Sequence, residues 1–364
     1  MTHRIRFLDA LRGIAVITVF IQHCVERMLH FRALGGLTPV AESFFLSGCN
    51  FGRLGVALFF IISGYVVPFS FKGAQPVRGF VVSRFFRLYP AYWLSIICML
   101  MVDSLREPER LPSLVNLFAN ITMFQQFLGQ EDLIGSYWTL AIELMFYILC
   151  ALLFAVGLLN RTIPTALAIC AMVGGALVIG TASYLSHHHW PANILLNLGF
   201  MFLGTMFRRA TADQDGMARK LLPILVAVTA IAVPVVQYLS YPVGGEGIDP
   251  LVRPLAFTSA YLVALVIFAV AVRHWPANSG RLDQLGQISY SWYLFHGAII
   301  FAVEPIMGLP IPGSAILFFL VATAVTLTVS SLVFRFVETP AVKMGRSFAG
   351  SPSRTPGIAA ESQA

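Results

Sequence analysis

The stretch DALRGIAVITVFIQH, residues 9–23, decides the fold, because it is an apolar segment that nevertheless contains Asp9, Arg12 and His23. At about 100° per residue, the steps from Arg12 to His23 bring a helix back to nearly the same side, and Asp9 joins that stripe. Ionisable residues within membrane helices are costly and usually functional. A rise of about 1.5 Å per residue separates Arg12 from His23 by about 16 Å, so the two can hold two ends of one long molecule.

The composition is that of an all-α, polytopic membrane protein. Of the 364 residues, 57% are hydrophobic and only 11% are charged, against about 25% charged residues in soluble proteins. The net charge of +7 is spread over short loops and does not indicate nucleic-acid binding. Five cysteines without a CxxC pair predict neither a disulfide framework nor a zinc site. No metal is therefore expected.

Apolar runs of about 20 residues are long enough to cross a bilayer, and on that basis the chain has about ten transmembrane helices. They are predicted near residues 10–29, 54–71, 88–103, 137–159, 163–184, 191–207, 221–240, 253–272, 286–304 and 314–335. The tail from Gly345 is rich in Ser, Pro and Gly and is predicted to be disordered. The chain therefore divides into a transmembrane domain, residues 1–344, and a cytoplasmic tail, residues 345–364.

The distribution of positive charge predicts the orientation, because Lys and Arg accumulate in short cytoplasmic loops. With ten spans and a cytoplasmic N-terminus, the inner segments hold most of the 24 Lys and Arg residues. The outer segments then hold only Arg27, Arg32, Arg53, Arg106, Arg110 and Arg253. Both termini are therefore predicted to be cytoplasmic.

Two intramembrane residues of the first and fourth spans are candidates for chemistry. His23 can accept a proton near neutral pH, which makes it a candidate general base. Glu143 enters the fourth span at a similar depth and forms a polar stripe with Thr139 and Tyr147 at a spacing of four. The structural alternatives are a histidine that packs against a neighbouring helix and a hydrogen-bonded glutamate that holds helices together.

Two further segments carry polar groups that suit ligands. In the ninth span, Tyr293 and His296 share a helix face, which favours the bundle interior; a structural histidine there is as plausible as a functional one. The segment 71–90 is interpreted as an inner loop with four cations, among them Arg84 and Arg87. Its charges can serve topology alone, but two arginines three residues apart also suit phosphates.

Taken together, these residues resemble the membrane acyltransferase 3 family of bacterial O-acyltransferases. The resemblance begins with Arg12, ten residues, then His23. It continues through residues 55–65 (GVALFFIISGY), 84–90 (RFFRLYP), 136–143 (SYWTLAIE), 289–296 (SYSWYLFH) and 336–340 (FVETP). Each segment alone is weak, but their order and their span of nearly the whole chain are specific.

The resemblance implies transfer of an acyl group, most often acetyl, from acetyl-CoA or another acyl-CoA to a hydroxyl of a lipid-linked glycan or polysaccharide in the bacterial cytoplasmic membrane. It implies that His23 is the base and that Arg12 supports it or the donor. The residues expected in catalysis are His23, Arg12, Asp9 and Glu143. Those expected to bind the donor are Arg84, Arg87, Tyr89, Lys72 and Ser63. Those expected to bind the acceptor are Trp138, Tyr137, His296 and Tyr293.

Other functions remain open on sequence grounds. A secondary transporter would also contain buried charges, but it should show two related halves, and no such symmetry is present. A flippase or scaffold for glycan assembly is a third class, and a macrolide is an alternative acceptor. For an acyltransferase, we expect one continuous cavity that CoA enters from the cytoplasm and the glycan from outside, with Glu143 beside His23. The sequence gives no oligomeric state.

Overall fold

The computed structural model describes residues 6–241, 253–274, 280–308 and 314–349, and within these ranges the regular structure is helical, with no β-strand. The α-helices, in chain order, are α1 (Arg6–His30), α2 (Thr38–Ala41), α3 (Phe51–Val66), α4 (Pro76–Arg106), α5 (Leu114–Ile121), α6 (Trp138–Ala155), α7 (Thr162–Ser186), α8 (Ala192–Thr211), α9 (Gly216–Ser240), α10 (Pro254–His274), α11 (Arg281–Val303), α12 (Ser314–Val333) and α13 (Thr339–Phe348).

The helices form the predicted membrane bundle. Within the described ranges, eight helical stretches are long and apolar enough to cross a membrane. The predicted sixth and ninth spans, α8 and α11, are also long, at 20 and 23 residues, but they are more polar and are not among those eight. Helix α8 packs against α3, α7 and α9, while α11 packs against α1, α4 and α12. Helices enclosed by other helices can carry polar faces that lipid would not tolerate.

Close glycine contacts bring the central helices together. Gly64 of α3 lies against the backbone of Met201 on α8, and Gly286 of α11 lies against the backbone of Asp9 on α1. A Cβ atom at either glycine would overlap that backbone. Small residues at helix contacts are the usual means of close packing in membrane bundles. The contact between α1 and α11 also brings His23 of α1 close to His296 of α11.

Helix α4 corrects the prediction for residues 71–103. The predicted span at 88–103 is wrong in its start, since α4 runs for 31 residues from Pro76 and continues through Pro90. Pro76 stands in the first turn of α4, where the missing N–H of a proline is not needed. Arg84, Arg87 and Tyr89 therefore lie on a helix, and of the predicted loop 71–90 only residues 71–75 are not helical. A prediction from apolar residues alone covers only the part of a helix inside the hydrocarbon layer, so it omits the polar helical turns outside that layer.

The two ends of the bundle differ in charge. We call the end at which α1 begins the basic end, because its cavities are lined by Arg84, Arg87, Arg208, Lys343 and Arg346. We call the end at which α1 finishes the opposite end. Helix α13 packs against α4 at the basic end, where Gly345 lies against Phe86. Of the tail predicted from Gly345, residues 345–348 belong to α13. Residues 350–364 lie outside the described residues.

Candidate active site

A basic cavity opens at the basic end and has two adjoining chambers. The deep chamber, about 360 Å³, is lined by residues of α1, α3, α4, α6 and α11, including Ser63, Arg84 and Glu143. The side chamber has a volume of about 540 Å³ and is lined mainly by α1, α4, α8 and α13. Arg12 and Arg87 line both chambers. The cavity therefore extends from the start of α1 toward the middle of the bundle.

Cations outnumber carboxylates in the lining of this cavity. The cations are Arg12, Arg84, Arg87, Arg208, Lys343 and Arg346, and the carboxylates are Asp9, Glu143 and Glu338. Each carboxylate has a partner. Arg12 forms an ion pair with Asp9 at 3.3 Å, Glu143 accepts hydrogen bonds from Ser63 and Tyr147 at 3.2 and 2.6 Å, and Glu338 accepts one from Ser291 at 2.9 Å. The surplus positive charge suits an anionic ligand such as a phosphate.

The residues predicted to bind the donor divide into two groups. Ser63, Arg84 and Arg87 line the deep chamber. Arg84 is held by Ser70, to which it donates at 3.0 Å, and by the faces of Phe80 and Tyr147.

The other two predicted donor contacts are not among the residues that line this cavity. Lys72 is exposed in the connection between α3 and α4. The hydroxyl of Tyr89 donates to the carbonyl oxygen of Thr122 at 3.0 Å, and its ring stacks on Phe85. The helical path of α4 explains the difference, because Tyr89 follows Arg87 by two residues and so points to another side.

A second cavity, the histidine cavity, lies toward the opposite end. It has a volume of about 240 Å³, and its lining includes His23, Glu26, Arg27, Ser136 and His296. The rings of His23 and His296 approach with their centroids 5.3 Å apart. The cavity thus brings together a predicted base on α1 and a predicted acceptor contact on α11.

A chain of hydrogen bonds fixes the imidazole of His23. Its Nδ1 lies 2.9 Å from Glu26 Oε2, and Gln22 donates to Glu26 Oε1 at 2.9 Å. The backbone N–H of Phe51, at the start of α3, donates in turn to Gln22 Oε1. Because an ionised carboxylate only accepts hydrogen bonds, this geometry assigns the proton of neutral His23 to Nδ1. Nε2 then remains free to act as a base.

His296 is held in a similar way but without a carboxylate. Its Nδ1 lies 2.7 Å from the carbonyl oxygen of Tyr293, which can only accept a hydrogen bond. The side chain is almost completely buried. Its Nε2 is therefore the atom available to a ligand in the histidine cavity.

A layer of three polar groups, here the septum, separates the basic cavity from the histidine cavity. The hydroxyl of Tyr293 lies 2.8 Å from that of Thr139 and 3.0 Å from the carbonyl oxygen of Ser136. Thr139 also donates to the Ser136 carbonyl at 2.9 Å. Thr139 and Tyr293 line the deep chamber, whereas Ser136 lines the histidine cavity. The expectation of one continuous cavity is wrong for this structure.

Glu143 lies on the other side of the septum from His23, so its predicted place beside the base is also wrong. Sequence spacing gives the depth of Glu143 in its helix, but it does not give the neighbour that its face meets. The neighbours are Ser63 of α3 and Tyr147 of α6 itself. The carboxylate that contacts His23 is Glu26. The sequence already indicated this contact, because Glu26 follows His23 by three residues and residues three apart on a helix are neighbours.

The two predicted acceptor residues at the start of α6 differ in their surroundings. Tyr137 is fully buried, and its hydroxyl forms a 2.7 Å hydrogen bond with that of Ser95. It packs within the bundle and is not among the residues that line the histidine cavity. Trp138 lines a third cavity of about 160 Å³ at the opposite end, together with Arg53.

Comparison with known proteins places the chain in a family. An acyltransferase domain family matches residues 5–335. The chain belongs to this family. A peptidoglycan O-acetyltransferase OatA of Listeria monocytogenes is 22% identical over 86% of the chain and 55% of its own length. An O-acetyltransferase OatA of Staphylococcus aureus is 26% identical over 95% and 59%. An acyltransferase MdmB of Streptomyces mycarofaciens is 24% identical over 94% and 92%.

All three relatives are named as acyltransferases or O-acetyltransferases. The chain spans little more than half of the OatA proteins but nearly all of MdmB. No solved structure matches the chain. The chain thus belongs to an acyltransferase domain family, and its described helices form a multi-pass membrane bundle. Within the described ranges, no group of three or more His, Cys, Asp or Glu residues is arranged to hold a metal ion.

Proposed function

We propose that the protein transfers an acyl group, acetyl in the first instance, from acyl-CoA to a sugar hydroxyl of a bacterial exopolysaccharide or O-antigen unit in the cytoplasmic membrane. One observation carries this proposal: a basic cavity at one end and a His23–Glu26 pair at the other are separated by a single septum. A donor with phosphates at one end and a thioester at the other fits that division.

The basic cavity suits the donor. Arg84 and Arg87 lie on one face of α4 at a spacing of three, and guanidinium groups bind phosphates in a bidentate manner. The pantetheine arm would run along α1 from Arg12 toward His23, a distance of about 16 Å along the helix axis. To reach the histidine cavity, the arm has to displace the septum formed by Thr139 and Tyr293.

The His23–Glu26 pair supplies the proton transfers. The sugar hydroxyl loses its proton to His23 Nε2 as its oxygen bonds to the thioester carbon. The carbon–sulfur bond then breaks, and the imidazolium returns the proton to the sulfur of CoA. The carboxylate of Glu26 stabilises the imidazolium in the meantime, because it accepts the Nδ1 hydrogen bond. The products are the sugar ester and free CoA.

The acceptor side rests on the histidine cavity and on the relatives. A hydroxyl that enters from the opposite end meets His23 and His296 first. The names of the OatA relatives specify O-acetyl transfer, and that of the Listeria protein specifies peptidoglycan. These names support an acetyl donor and a glycan acceptor for this chain. They do not specify its sugar.

The donor half of the proposal is tested by calorimetry with the purified protein in lipid nanodiscs. Replacing both Arg84 and Arg87 with Ala should weaken CoA binding, and the loss should shrink at high salt because salt screens the attraction between the arginines and the phosphates. Arg78→Ala is the matched control, since Arg78 lies on the same helix but is exposed and bonded to Gln75. Equal CoA affinity in the double variant and the control would exclude this cavity as the donor site.

The reaction itself is tested with acetyl-CoA and a His23→Ala variant. Removing a general base typically lowers turnover by about 10²–10⁴-fold. CoA affinity should change little, because the cations proposed to hold the phosphates lie in the basic cavity and not at His23. The acceptor is then identified by NMR of surface glycans from a deletion strain. Glycans that keep all their acyl groups in that strain would contradict a glycan acceptor and favour a small molecule such as a macrolide.

A further inference from the structure

The third cavity, here the Arg53 cavity, lies at the opposite end and has no role in the reaction described above. It is formed where α3 and α6 begin and where α7 and α9 finish. Its volume of about 160 Å³ is well below the roughly 300 Å³ of the smallest sites for drug-sized ligands. The cavity is therefore of a size for one small group or one sugar ring.

Arg53 is the central feature of this cavity. Its guanidinium lies between two aromatic rings, 4.7 Å from the centroid of Trp138 and 4.6 Å from that of Phe257. The residue is half-buried. Among the described residues, no carboxylate oxygen lies within 4.0 Å of it, whereas Arg27 and Arg106 at the same end pair with Glu304. The polar partner of Arg53 is the hydroxyl oxygen of Tyr261, which accepts a hydrogen bond from it. A cation that is held by neutral groups and faces a cavity is rare in a membrane protein, and it indicates an anionic ligand.

The rest of the lining is rich in hydrogen-bond donors. Trp138 contributes an indole N–H and Tyr241 a hydroxyl. The amide of Gln126 also lines the cavity, but it already donates one hydrogen bond to Asp132 at 2.8 Å. His189 stacks on Tyr241, with the ring centroids 4.9 Å apart, and its Nδ1 is used by the carbonyl oxygen of Ser240. No carboxylate is among the described residues that line the cavity. One cation and several donors, with no carboxylate in the described lining, favour an oxyanion over a cation or a neutral apolar group.

The Arg53 cavity lies next to the histidine cavity. Ser136 lines the histidine cavity and Trp138, two residues later, lines the Arg53 cavity. Arg53 is also close enough to Glu26 for the two charges to interact. A molecule that places one hydroxyl at His23 can therefore place a neighbouring group at Arg53.

We propose that the Arg53 cavity binds the carboxylate or phosphate of a sugar residue in the acceptor, so that the enzyme selects an acidic glycan. The inference rests on the proposed function, because it identifies the class of acceptor. The guanidinium binds two oxygens of the anion, and the ring of Trp138 keeps the guanidinium plane in place. The acidic sugar then positions its neighbour with a hydroxyl toward His23.

The test measures binding of sodium glucuronate and of glucose, its neutral counterpart, to purified protein in nanodiscs of zwitterionic lipid. Glucuronate should bind about tenfold or more tightly than glucose, the difference expected for a hydrogen bond to a charged group. Arg53→Gln should abolish that preference, and Arg53→Lys should retain only part of it, because lysine cannot bind in a bidentate manner. Arg32→Gln is the control: it removes an exposed charge at the same end and should change nothing.

Two further measurements make the result decisive. CoA affinity reports folding of each variant at the far end of the protein, and Arg53→Lys serves if Arg53→Gln does not fold. Glucose 6-phosphate compared with glucuronate distinguishes a phosphate from a carboxylate. Equal binding of glucuronate and glucose, or a preference that survives Arg53→Gln, would overturn the proposal. So would loss of glucuronate binding in phosphatidylglycerol nanodiscs, which would indicate a lipid headgroup site. None of these assays requires acyl transfer, so their failure is distinct from failure of the proposed function.

Discussion

Replacing Glu26 with Gln tests whether the contact between Glu26 and His23 is part of the reaction. The substitution keeps the size of the side chain but removes the charge that accepts the 2.9 Å hydrogen bond from Nδ1. A glutamine neither stabilises an imidazolium electrostatically nor fixes the proton on Nδ1, since an amide can either donate or accept. We expect the variant to fold, because Gln22 still links α1 to the backbone of Phe51.

The size of the effect follows from the type of bond that is lost. A hydrogen bond to a charged group is worth about 1.5–3 kcal/mol. If it is fully expressed in the transition state, turnover of Glu26→Gln should fall by about 10- to 150-fold. That loss is smaller than the roughly 10²–10⁴-fold expected for removal of His23 itself. CoA affinity should not change, because Glu26 lies on the far side of the septum from the basic cavity.

The assay is release of free CoA from acetyl-CoA in the presence of acceptor, measured with a thiol reagent. Glu109→Gln is the matched control, since it removes an exposed carboxylate at the same end. In the His23→Ala background, Glu26→Gln should have no further effect, because the two residues act as one unit. Wild-type turnover in Glu26→Gln would refute the reasoning. Equal losses in the presence and absence of His23 would show that Glu26 acts on something else.

Two further predictions concern the septum and the packing of the bundle. Tyr293→Phe removes the hydroxyl from the septum but leaves the backbone carbonyl that holds His296. The rate of acetyl-CoA hydrolysis without acceptor should then rise. An unchanged hydrolysis rate would show that the hydroxyl does not separate the two cavities. Gly64→Ala should destabilise the protein by about 1–3 kcal/mol, as expected for overpacking. The control Gly174→Ala should not destabilise it, because there is open space around that position. Equal melting temperatures for the two variants would contradict the close contact of α3 with α8.

Much of the site was predictable from sequence because the relevant signals are local. Apolar runs give membrane helices, and the spacing of Arg12 and His23 places both on one side of α1. The pair Arg84 and Arg87 was predicted from its spacing to suit phosphates, and both residues line the basic cavity. Glu26 was within reach of the same reasoning, since it follows His23 by three residues.

Other features depend on contacts between distant segments. Glu143 meets Ser63, and Tyr137 meets Ser95, because of the way α6 is turned among its neighbours. The spacing of residues along α6 does not predict which of its faces meets which neighbouring helix. The septum likewise joins Tyr293 of α11 to the start of α6, more than 150 residues earlier in the chain.

The sequence by itself therefore determined a helical membrane bundle, the family and the chemistry of its strongest residues. Hydropathy and helical spacing are properties of one segment in a bilayer, and a single sequence is enough to read them. Only the tertiary structure decided that there are separate cavities, that His23 is paired with Glu26 and that Arg53 has no ion-pair partner within the described residues. These depend on which helix faces meet, and close contacts at small residues such as Gly64 and Gly286 fix those faces across long distances in the chain.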